Sequence, residues 1–429
     1  MFVKKAAWRF NVIKSTMLKQ VTCFYQKSVE TRDHFPPPET IYTNKLKFYD
    51  CLNKWNFPIF QILDTNGQLI DPNQEIGITQ EDLVKMMQTM IILNTFDILA
   101  NELQQKKIIS LYATSFGEEG LQIGSAAALA ENDMVFTQYR EPGVGLWRGF
   151  DMEDMLNQLF ANKDDINRGK QMPIHYSNKD INFFSISSPL GTQMPQAVGY
   201  SYMNKIQKKK QGVICYFGEG TASVGDAFVA LNFAATLECP IIFFCRNNGY
   251  AISTPTDEQY HGDGLAARGC GFGISTLKVD GNDPLAVYLA TKTAREFSIE
   301  QNQPVLIEAM TYRVGNHTTD EHGITYRCMD EVKYWELNDN PLLRFQTFLI
   351  DRKLWSKEKN KIFHKECRDK INFLIERAQN KSYGNPLVLF EDVYDSMNPI
   401  LKKQMEKFSK FLALNREHYP GNFENPNPI

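Results

Sequence analysis

An acidic residue and an asparagine each follow an apolar segment of the chain, at a spacing that could bring the two together. Glu219 lies in a Gly-Glu-Gly tripeptide directly after the apolar run 213–217, and Asn248 follows the apolar run 240–245. Open α/β sheets bind ligands at the carboxyl ends of their parallel strands. A carboxylate and an amide carbonyl are hard oxygen donors that suit magnesium, and glycines let the backbone approach a diphosphate closely. The pair therefore predicts a site for magnesium and a diphosphate.

The segments around this pair alternate between strand-like and helix-like patterns. This alternation predicts a doubly wound parallel sheet, and hence an α/β fold. A short run at 59–64 predicts a further strand that leads into a turn, whereas residues 330–415 are mostly helical and charged. The pattern predicts strands near 213–217, 240–245, 277–279 and 305–309, and helices over 79–106, 118–130, 191–210, 224–236 and 284–300.

The composition argues against several classes of protein. A chain of 429 residues with 43% hydrophobic residues can bury a large core, and its net charge of −3 does not suggest a surface for nucleic acid. No uninterrupted apolar run reaches the roughly 18 residues that cross a membrane. The 8 cysteines form no C-x-x-C pair, which indicates a reduced intracellular protein and not a disulfide or zinc scaffold.

The first 29 residues have a pattern of their own. They carry six basic side chains interleaved with apolar ones, and no acid precedes Glu30. This pattern predicts a mitochondrial presequence and a place in the matrix; a basic tail of no further function is the alternative.

Three further groups of residues could contact an anion or move a proton. Arg140, which follows Gln138 and Tyr139, could fork onto a phosphate or form a surface ion pair. Arg246 could neutralise a phosphate or form a salt bridge at the end of its strand. His317 lies in a polar loop after a strand, where it could donate to phosphate, shuttle a proton or be an ordinary surface residue.

The loop 187–193 concentrates hydroxyl, carbonyl and amide oxygens at the start of a helix. These oxygens could cap the helix or ligate a monovalent cation. Taken alone, the loop favours capping.

A Gly-acid-Gly, a helix-length spacer and an Asn pair together form the motif of thiamine-diphosphate enzymes. A second Gly-Asp-Gly at 262–264 follows a polar segment and has no Asn pair, so we discount it. From residue 59 onward the chain resembles the alpha subunits of branched-chain 2-oxo acid dehydrogenases, the thiamine-dependent decarboxylating components of a mitochondrial complex. The resembling stretches are 117–129, 171–176, 237–256 and 306–313. Glu219 and the segment 187–190 are more similar to the branched-chain type than to the pyruvate type.

The resemblance implies a thiamine-diphosphate-binding fold and assigns roles to individual positions. His317 is the implied catalytic residue, and it also contacts the cofactor. The implied magnesium ligands are Glu219, Asn248 and the carbonyl of Tyr250, and the implied potassium loop contains Ser187, Pro189, Thr192 and Gln193. The other implied cofactor contacts are Gln138, Tyr139, Arg140, Gly218, Gly220, Thr221 and Arg246, with Ser188, Leu190 and Ile252 around the aminopyrimidine and thiazolium rings.

The resemblance also implies a reaction and its partners. The reaction is decarboxylation of a branched 2-oxo acid, with transfer of the acyl group to a lipoyl arm on an acyltransferase core. The glutamate that activates the aminopyrimidine belongs to a separate beta subunit in this family, which implies an α2β2 heterotetramer. A regulatory kinase acts on the family at a serine after the loop histidine. This chain has Thr318 there and Cys328 at a second site, and it departs from the family at Asn316, Val224 and Phe228.

Three alternatives stay open at this stage. A pyruvate dehydrogenase alpha subunit shares the fold and the cofactor. A non-catalytic scaffold could retain the fold without the reaction. The segment 220–225 faintly resembles the nucleophile elbow of a serine hydrolase, although its spacing is one residue too long.

We expect four regions along the chain. They are a presequence at 1–29, an N-terminal arm at 30–78, a thiamine-diphosphate-binding α/β domain at 79–330, and a helical region at 331–429 that forms a subunit interface.

Overall fold

Six parallel strands form the central sheet of the computed structural model, in the order β1-β7-β8-β4-β3-β2. The parallel α/β fold that the sequence predicts is therefore confirmed. A separate two-stranded antiparallel hairpin, β5 and β6, follows β4. The strands are β1 (Ile59–Phe60), β2 (Met134–Phe136), β3 (Val213–Gly218), β4 (Ile242–Asn247), β5 (Tyr250–Ala251), β6 (Thr254–Pro255), β7 (Ser275–Asp280) and β8 (Val305–Met310).

The structure describes residues 44–46, 57–318, 321 and 323–419. The predicted presequence at 1–29 and most of the predicted arm lie outside the described residues. The described residues from 57 onward belong to one compact unit. The division at residue 330 and the role of 331–429 as an interface stay predictions.

Helices flank the sheet and connect its strands. The predicted helices are all present; the one predicted over 191–210 ends at Ile206, shortly before Lys208 turns the backbone to a φ of +56°. The helices are α1 (Gln80–Gln105), α2 (Glu119–Ala127), α3 (Pro142–Trp147), α4 (Met152–Leu159), α5 (Gln193–Ile206), α6 (Gly225–Thr236), α7 (Thr256–Gln259), α8 (Ala266–Gly271), α9 (Pro284–Gln301), α10 (Met329–Asn338), α11 (Pro341–Asp351), α12 (Lys357–Gln379) and α13 (Pro399–Leu414).

The central strands are apolar on both faces because helices cover both sides of the sheet. In β4, Ile242 and Phe244 pack into one hydrophobic cluster, whereas Phe243 and Cys245 pack into another. Successive side chains of a strand point to opposite faces, so an uninterrupted apolar run is what a doubly covered parallel strand requires. This is why β3 and β4 are the clearest strands in the sequence.

Helix α1 is the longest helix of the described residues. The Thr79 side chain caps it by accepting a hydrogen bond from the Asp82 backbone N–H. By length and composition this helix could cross a membrane, although polar and charged residues interrupt its apolar ones. However, 67% of its most apolar window is buried inside the protein, as is common for a core helix.

Helix α2 packs against α9 through glycines. A Cβ atom added at Gly124 would lie 2.5 Å from the Pro284 carbonyl oxygen, and one added at Gly120 would lie 3.0 Å from the Gly281 carbonyl oxygen. Small residues let the two helices approach closely, as the sequence predicts. This packing fixes the start of α2, and with it Glu118, beside the carboxyl edge of the sheet.

Candidate active site

The carboxyl ends of four neighbouring strands converge on one cavity of about 260 Å³. The register places Gly218 of β3 beside Arg246 of β4, and Asn247 of β4 beside Met310 of β8. The segments that follow these strands therefore meet at one edge, as parallel sheets require. The cavity is lined by Gln138, Tyr139, Arg140, Leu190, Gly218, Glu219, Gly220, Thr221, Arg246, Asn248, Tyr250, Ala251, Ile252, Arg313 and His317.

Most of the predicted site residues are in this lining, whereas the 187–193 loop contributes only Leu190. Thr192 Oγ1 donates to the Pro189 carbonyl at 2.9 Å, and no side chain caps the following helix, so the capping interpretation is wrong. Ser188 Oγ lies 2.8 Å from His175 Nε2, and Gln193 Nε2 donates to the Tyr216 carbonyl. Potassium binding by this loop, and the part of Ser187 in it, stay predictions.

Glu219 is a buried carboxylate that forms no salt bridge among the described residues. Its hydrogen-bond donor is the backbone N–H of Asn248, at a long 3.4 Å. Burial raises the pKa of Glu219 to about 7, because the charged form loses its hydration. A cation in the cavity would favour the charged form, so Glu219 fits a magnesium ligand.

The other oxygens near Glu219 also suit magnesium. Asn248 and Tyr250 line the same cavity, and they offer an amide and a backbone carbonyl. In the part of the chain that the structure describes, no group of three or more His, Cys, Asp or Glu residues could hold a metal alone. The three oxygen donors Glu219, Asn248 and the Tyr250 carbonyl therefore suit an ion that takes its remaining ligands from phosphates and water.

Gly220 is required because the Gly-Glu-Gly turn approaches Ala251 closely. A Cβ atom at this position would lie 2.8 Å from the Cβ of Ala251. Gln138 supports the same turn, because its Oε1 accepts from the Gly218 N–H and its Nε2 donates to Thr221 Oγ1, both at 2.6 Å. The end of β2 is thereby tied to the end of β3.

Arg246 lines the cavity but is held by carboxylates. Its Nη1 bonds to Glu118 at 2.8 Å, and its Nε bonds to Glu141. Burial works against the charge, yet Glu141 and Glu118 hold the pKa of Arg246 above its usual value. The salt bridge at the strand end is thus confirmed, and a contact of Arg246 with phosphate stays a prediction.

Sequence analysis missed the roles of Glu118 and Glu141. Both side chains are fully buried, and both approach Arg246. Acidic residues are rarely buried unless they are paired. The signal in the sequence was weak, because Glu118 opens the small-residue helix α2 and Glu141 precedes a glycine-rich turn, where acids are common.

Arg140 is buried, so its interpretation as a surface ion pair is wrong. Its Nη1 donates to the Thr114 carbonyl, and its Nη2 donates to the His317 carbonyl at 2.8 Å. The guanidinium therefore fixes the loop after β8 while it lines the cavity.

His317 is half-buried between two arginines. Arg140 Nη2 lies 3.3 Å from its Nδ1, and Arg313 Nη1 lies 3.2 Å from the same atom. A guanidinium can only donate, so Nδ1 accepts and the ring proton is on Nε2. Burial and these arginines lower the pKa of His317 to about 3, so the ring is neutral and its Nε2–H can donate a hydrogen bond. Arg313 is another residue of the cavity lining that sequence analysis missed.

Ile252 has a strained backbone at the cavity. Its φ is +59°, a left-handed conformation that a β-branched side chain rarely adopts. Arg313 Nη2 donates to the Ile252 carbonyl at 2.7 Å and holds this conformation. Strain of this kind is concentrated at functional sites. The role of Ile252 towards the cofactor rings stays a prediction.

The departures from the family pattern have local structural roles. Asn316 Nδ2 donates to the Glu321 carbonyl at 2.7 Å. Phe228 lies 5.6 Å from the guanidinium of Arg268. Val224 packs beside Gly191: a Cβ atom added to Gly191 would lie 2.5 Å from a methyl group of Val224.

The serine hydrolase alternative is wrong. Ser223 Oγ accepts a hydrogen bond from Gln259 Nε2 at 2.9 Å, and its described contacts include no histidine. The second Gly-Asp-Gly is structural, because Asp263 pairs with Lys278 and accepts from the Phe57 N–H.

The fold is that of the dehydrogenase E1 components. The family model with that description matches residues 87–387, and the chain belongs to this family.

Similar curated proteins agree with the match. The chain is 48% identical to the mitochondrial 2-oxoisovalerate dehydrogenase subunit alpha of Mus musculus over 393 residues, which cover 92% of this chain and 89% of that protein. Identity to the protein of the same name from Homo sapiens is also 48%, over 92% of this chain and 88% of that protein. The protein of the same name from Dictyostelium discoideum is 42% identical, with 96% of this chain and 95% of that protein covered.

Proposed function

We propose that this chain is the alpha subunit of a mitochondrial, thiamine-diphosphate-dependent dehydrogenase of branched-chain 2-oxo acids. The observation that carries the proposal is the convergence of Glu219, Asn248 and His317 on one cavity at the carboxyl edge of the sheet. The similarity to 2-oxoisovalerate dehydrogenase alpha subunits over nearly the whole chain supports this substrate class over pyruvate.

Each side of the cavity has a role towards the cofactor. Glu219, Asn248 and the Tyr250 carbonyl would hold magnesium, which would neutralise charge on the diphosphate. Arg140 and the Nε2–H of His317 provide positive charge and a hydrogen bond for anionic oxygens. When bound, thiamine diphosphate supplies the nucleophilic carbon and the electron sink that decarboxylation needs.

His317 can also donate a hydrogen bond from its Nε2–H to a further group bound in the cavity. Its low pKa keeps the ring neutral at physiological pH, and Nε2 faces away from the arginines that occupy Nδ1. A neutral imidazole so oriented can position an oxygen of the substrate or of the lipoyl group by a hydrogen bond. Ile252 and Leu190 line the same cavity with apolar surface suited to the rings of the cofactor.

The proposed function includes further partners. A beta subunit completes the site in an α2β2 heterotetramer, and a lipoyl-bearing acyltransferase core accepts the acyl group. Potassium binds the 187–193 loop. A kinase that adds phosphate at Thr318 would place about −1.5 to −2 charges next to His317 and repel the diphosphate. The protein functions in the mitochondrial matrix.

Calorimetric titration tests the proposal directly. Thiamine diphosphate is titrated into the chain co-expressed with its beta subunit, with and without magnesium, and into the Glu219→Gln variant. We expect binding that requires magnesium and weakens by about 100-fold or more in the variant, since loss of an outer contact alone costs roughly 10- to 100-fold. Wild-type protein that binds no cofactor would contradict the proposal and favour a non-catalytic scaffold.

Substrate choice is tested by comparing turnover of 3-methyl-2-oxobutanoate with that of pyruvate in the same assembly. We expect the branched substrate to be preferred in kcat/KM. A preference for pyruvate would instead assign the chain to the pyruvate dehydrogenase alpha subunits.

A further inference from the structure

Glu118 is a fully buried carboxylate that contacts a proposed magnesium ligand without lining the cavity. Its Oε1 accepts a hydrogen bond from Asn248 Nδ2 at 2.8 Å, and its Oε2 accepts from Arg246 Nη1 at 2.8 Å. Both oxygens of Glu118 are therefore engaged by donors on the same strand end.

The contact with Glu118 determines which way the Asn248 amide points. A carboxylate can only accept, so the NH2 group of the amide must face Glu118. The Oδ1 atom then faces the opposite direction, where it accepts from the Tyr250 N–H at 3.3 Å. This orientation directs the one side-chain atom of Asn248 that can ligate a cation away from Glu118 and towards Tyr250.

We propose that Glu118 is a positioning residue for magnesium, which fixes the Asn248 amide with its carbonyl oxygen towards the metal. The inference rests on the proposed function, because it concerns the same site. Arg246 and, at a longer 4.0 Å, Arg140 balance the charge of Glu118, and Glu141 holds Arg246 from the other side. Outer-shell carboxylates of this kind commonly orient metal ligands.

The proposal explains why an amide and not a carboxylate follows Asn247. An aspartate at 248 would be a stronger ligand for an isolated magnesium ion. Here it would place a carboxylate oxygen about 3 Å from Glu118 Oε1, where the two like charges repel each other. Asn248→Asp should therefore bind magnesium more weakly than the wild type.

The test measures the Kd of magnesium by calorimetry at saturating thiamine diphosphate, on the chain co-assembled with its beta subunit. Glu118→Gln offers one oxygen to two donors, so either Asn248 or Arg246 loses its acceptor. We expect the Kd to rise by roughly 10- to 100-fold. The thermal unfolding midpoint without metal is measured in parallel, to show that each variant is folded.

A reciprocal exchange separates positioning from a general structural role. In the double variant Glu118→Gln/Asn248→Asp, the Gln amide can donate to the Asp carboxylate while its carbonyl still accepts from Arg246. The hydrogen bond is restored with its polarity reversed and the net charge is unchanged. We expect the double variant to bind magnesium at least about 10-fold more tightly than either single variant.

Two matched controls are available in the chain. Glu119 is a buried neighbour that accepts from Asn94 and from the Gly117 N–H, so Glu119→Gln should leave the Kd of magnesium unchanged. Glu141→Gln disturbs Arg246 but not Asn248, and it should weaken magnesium binding less than Glu118→Gln.

The outcomes distinguish the inference from the proposed function. If the wild type binds thiamine diphosphate with magnesium and Glu118→Gln binds equally well, the inference is overturned and the proposed function stands. Equal damage in the double variant and the single variants would also overturn it. If the wild type itself fails to bind, the proposed function is wrong and the inference falls with it.

Discussion

The end of strand β4 and the loop after β8 form two sides of the same cavity with opposite charge. On the β4 side, the buried acids Glu118, Glu141 and Glu219 outnumber the one arginine, Arg246. On the loop side, three arginines donate mainly to backbone carbonyls, with Glu321 as the acid that accepts from the His317 N–H. These arginines are Arg140 and Arg313, which line the cavity, and Arg327, which does not.

This difference indicates which part of a ligand each side of the cavity would bind. A side with surplus carboxylates attracts a cation, and a side with surplus guanidinium groups attracts an anion. A magnesium diphosphate carries both, and it would balance both sides at once. The β4 side is already neutralised in part by its own salt bridges, so we expect its substitutions to affect folding first. Among the described residues, the loop-side arginines have only one long ion pair, from Arg140 Nε to Glu118 Oε1 at 4.0 Å, so substitutions on this side should affect binding first.

Arg246→Met should have the largest effect on stability. It leaves Glu118 and Glu141 buried without their shared cation, which costs about 3–5 kcal/mol. Arg377→Met is the control. Arg377 pairs with Glu153 at 3.1 Å, and the Arg377 side chain is 51% exposed. Exposed pairs contribute about 1 kcal/mol or less. Urea denaturation measures both, and equal losses would refute the distinction.

Arg140→Met should weaken cofactor binding more than it weakens the fold. Hydrogen bonds to charged groups contribute about 1.5–3 kcal/mol, so the Kd of thiamine diphosphate should rise roughly 10- to 100-fold. Arg268→Met is the control, since Arg268 donates to the Ala222 carbonyl and does not line the cavity. Isothermal titration gives both constants, and an unchanged Kd for Arg140→Met would remove the anionic role of the loop side.

Gly124→Ala tests whether helix packing positions the acidic side. The added Cβ would meet the Pro284 carbonyl at 2.5 Å, and overpacking of this kind costs about 1–3 kcal/mol. Because α2 carries Glu118 at its start, magnesium binding should weaken as well. Gly225→Ala, where no atom lies within 4 Å of the new Cβ, should change the free energy of unfolding by about 0.5 kcal/mol or less. Thermal denaturation compares the two variants.

The pH dependence of stability should reveal His317 on the loop side. Its pKa is lowered from 6.5 to about 3, so the unfolded chain binds this proton more tightly than the folded protein. The contribution of the neutral ring is complete above pH 6.5 and is lost as the pH falls towards 3. We expect a loss of about 1–2 kcal/mol between pH 6.5 and pH 5 that His317→Asn removes. Parallel curves for wild type and variant would contradict this assignment.

Much of the fold could be predicted because its central strands are covered on both faces. The apolar runs of β3 and β4 have no other stable solution in a chain of this composition, and the glycines of α2 indicated its close packing. Element ends were less certain: the helix predicted over 191–210 ends at Ile206, since one residue of positive φ at Lys208 leaves no strong signal.

The candidate site could be predicted in part, for a related reason. Residues directly after strands are brought to one edge by topology, so Glu219, Asn248 and His317 were accessible to sequence analysis. The 187–193 loop was misinterpreted as a cap because Thr192 bonds backward to Pro189 instead of forward to the helix. Local composition does not distinguish these two hydrogen bonds.

The sequence by itself determined the α/β class, the Gly-acid-Gly and Asn-Asn motif and the family, because strand periodicity and motif spacing are local properties of the chain. Only the tertiary structure decided which charges are paired. Glu118 is 128 residues from Arg246 and 130 residues from Asn248 along the chain. No local pattern connects such distant positions, and their hydrogen bonds exist only once α2 has packed against α9 beside the edge of the sheet.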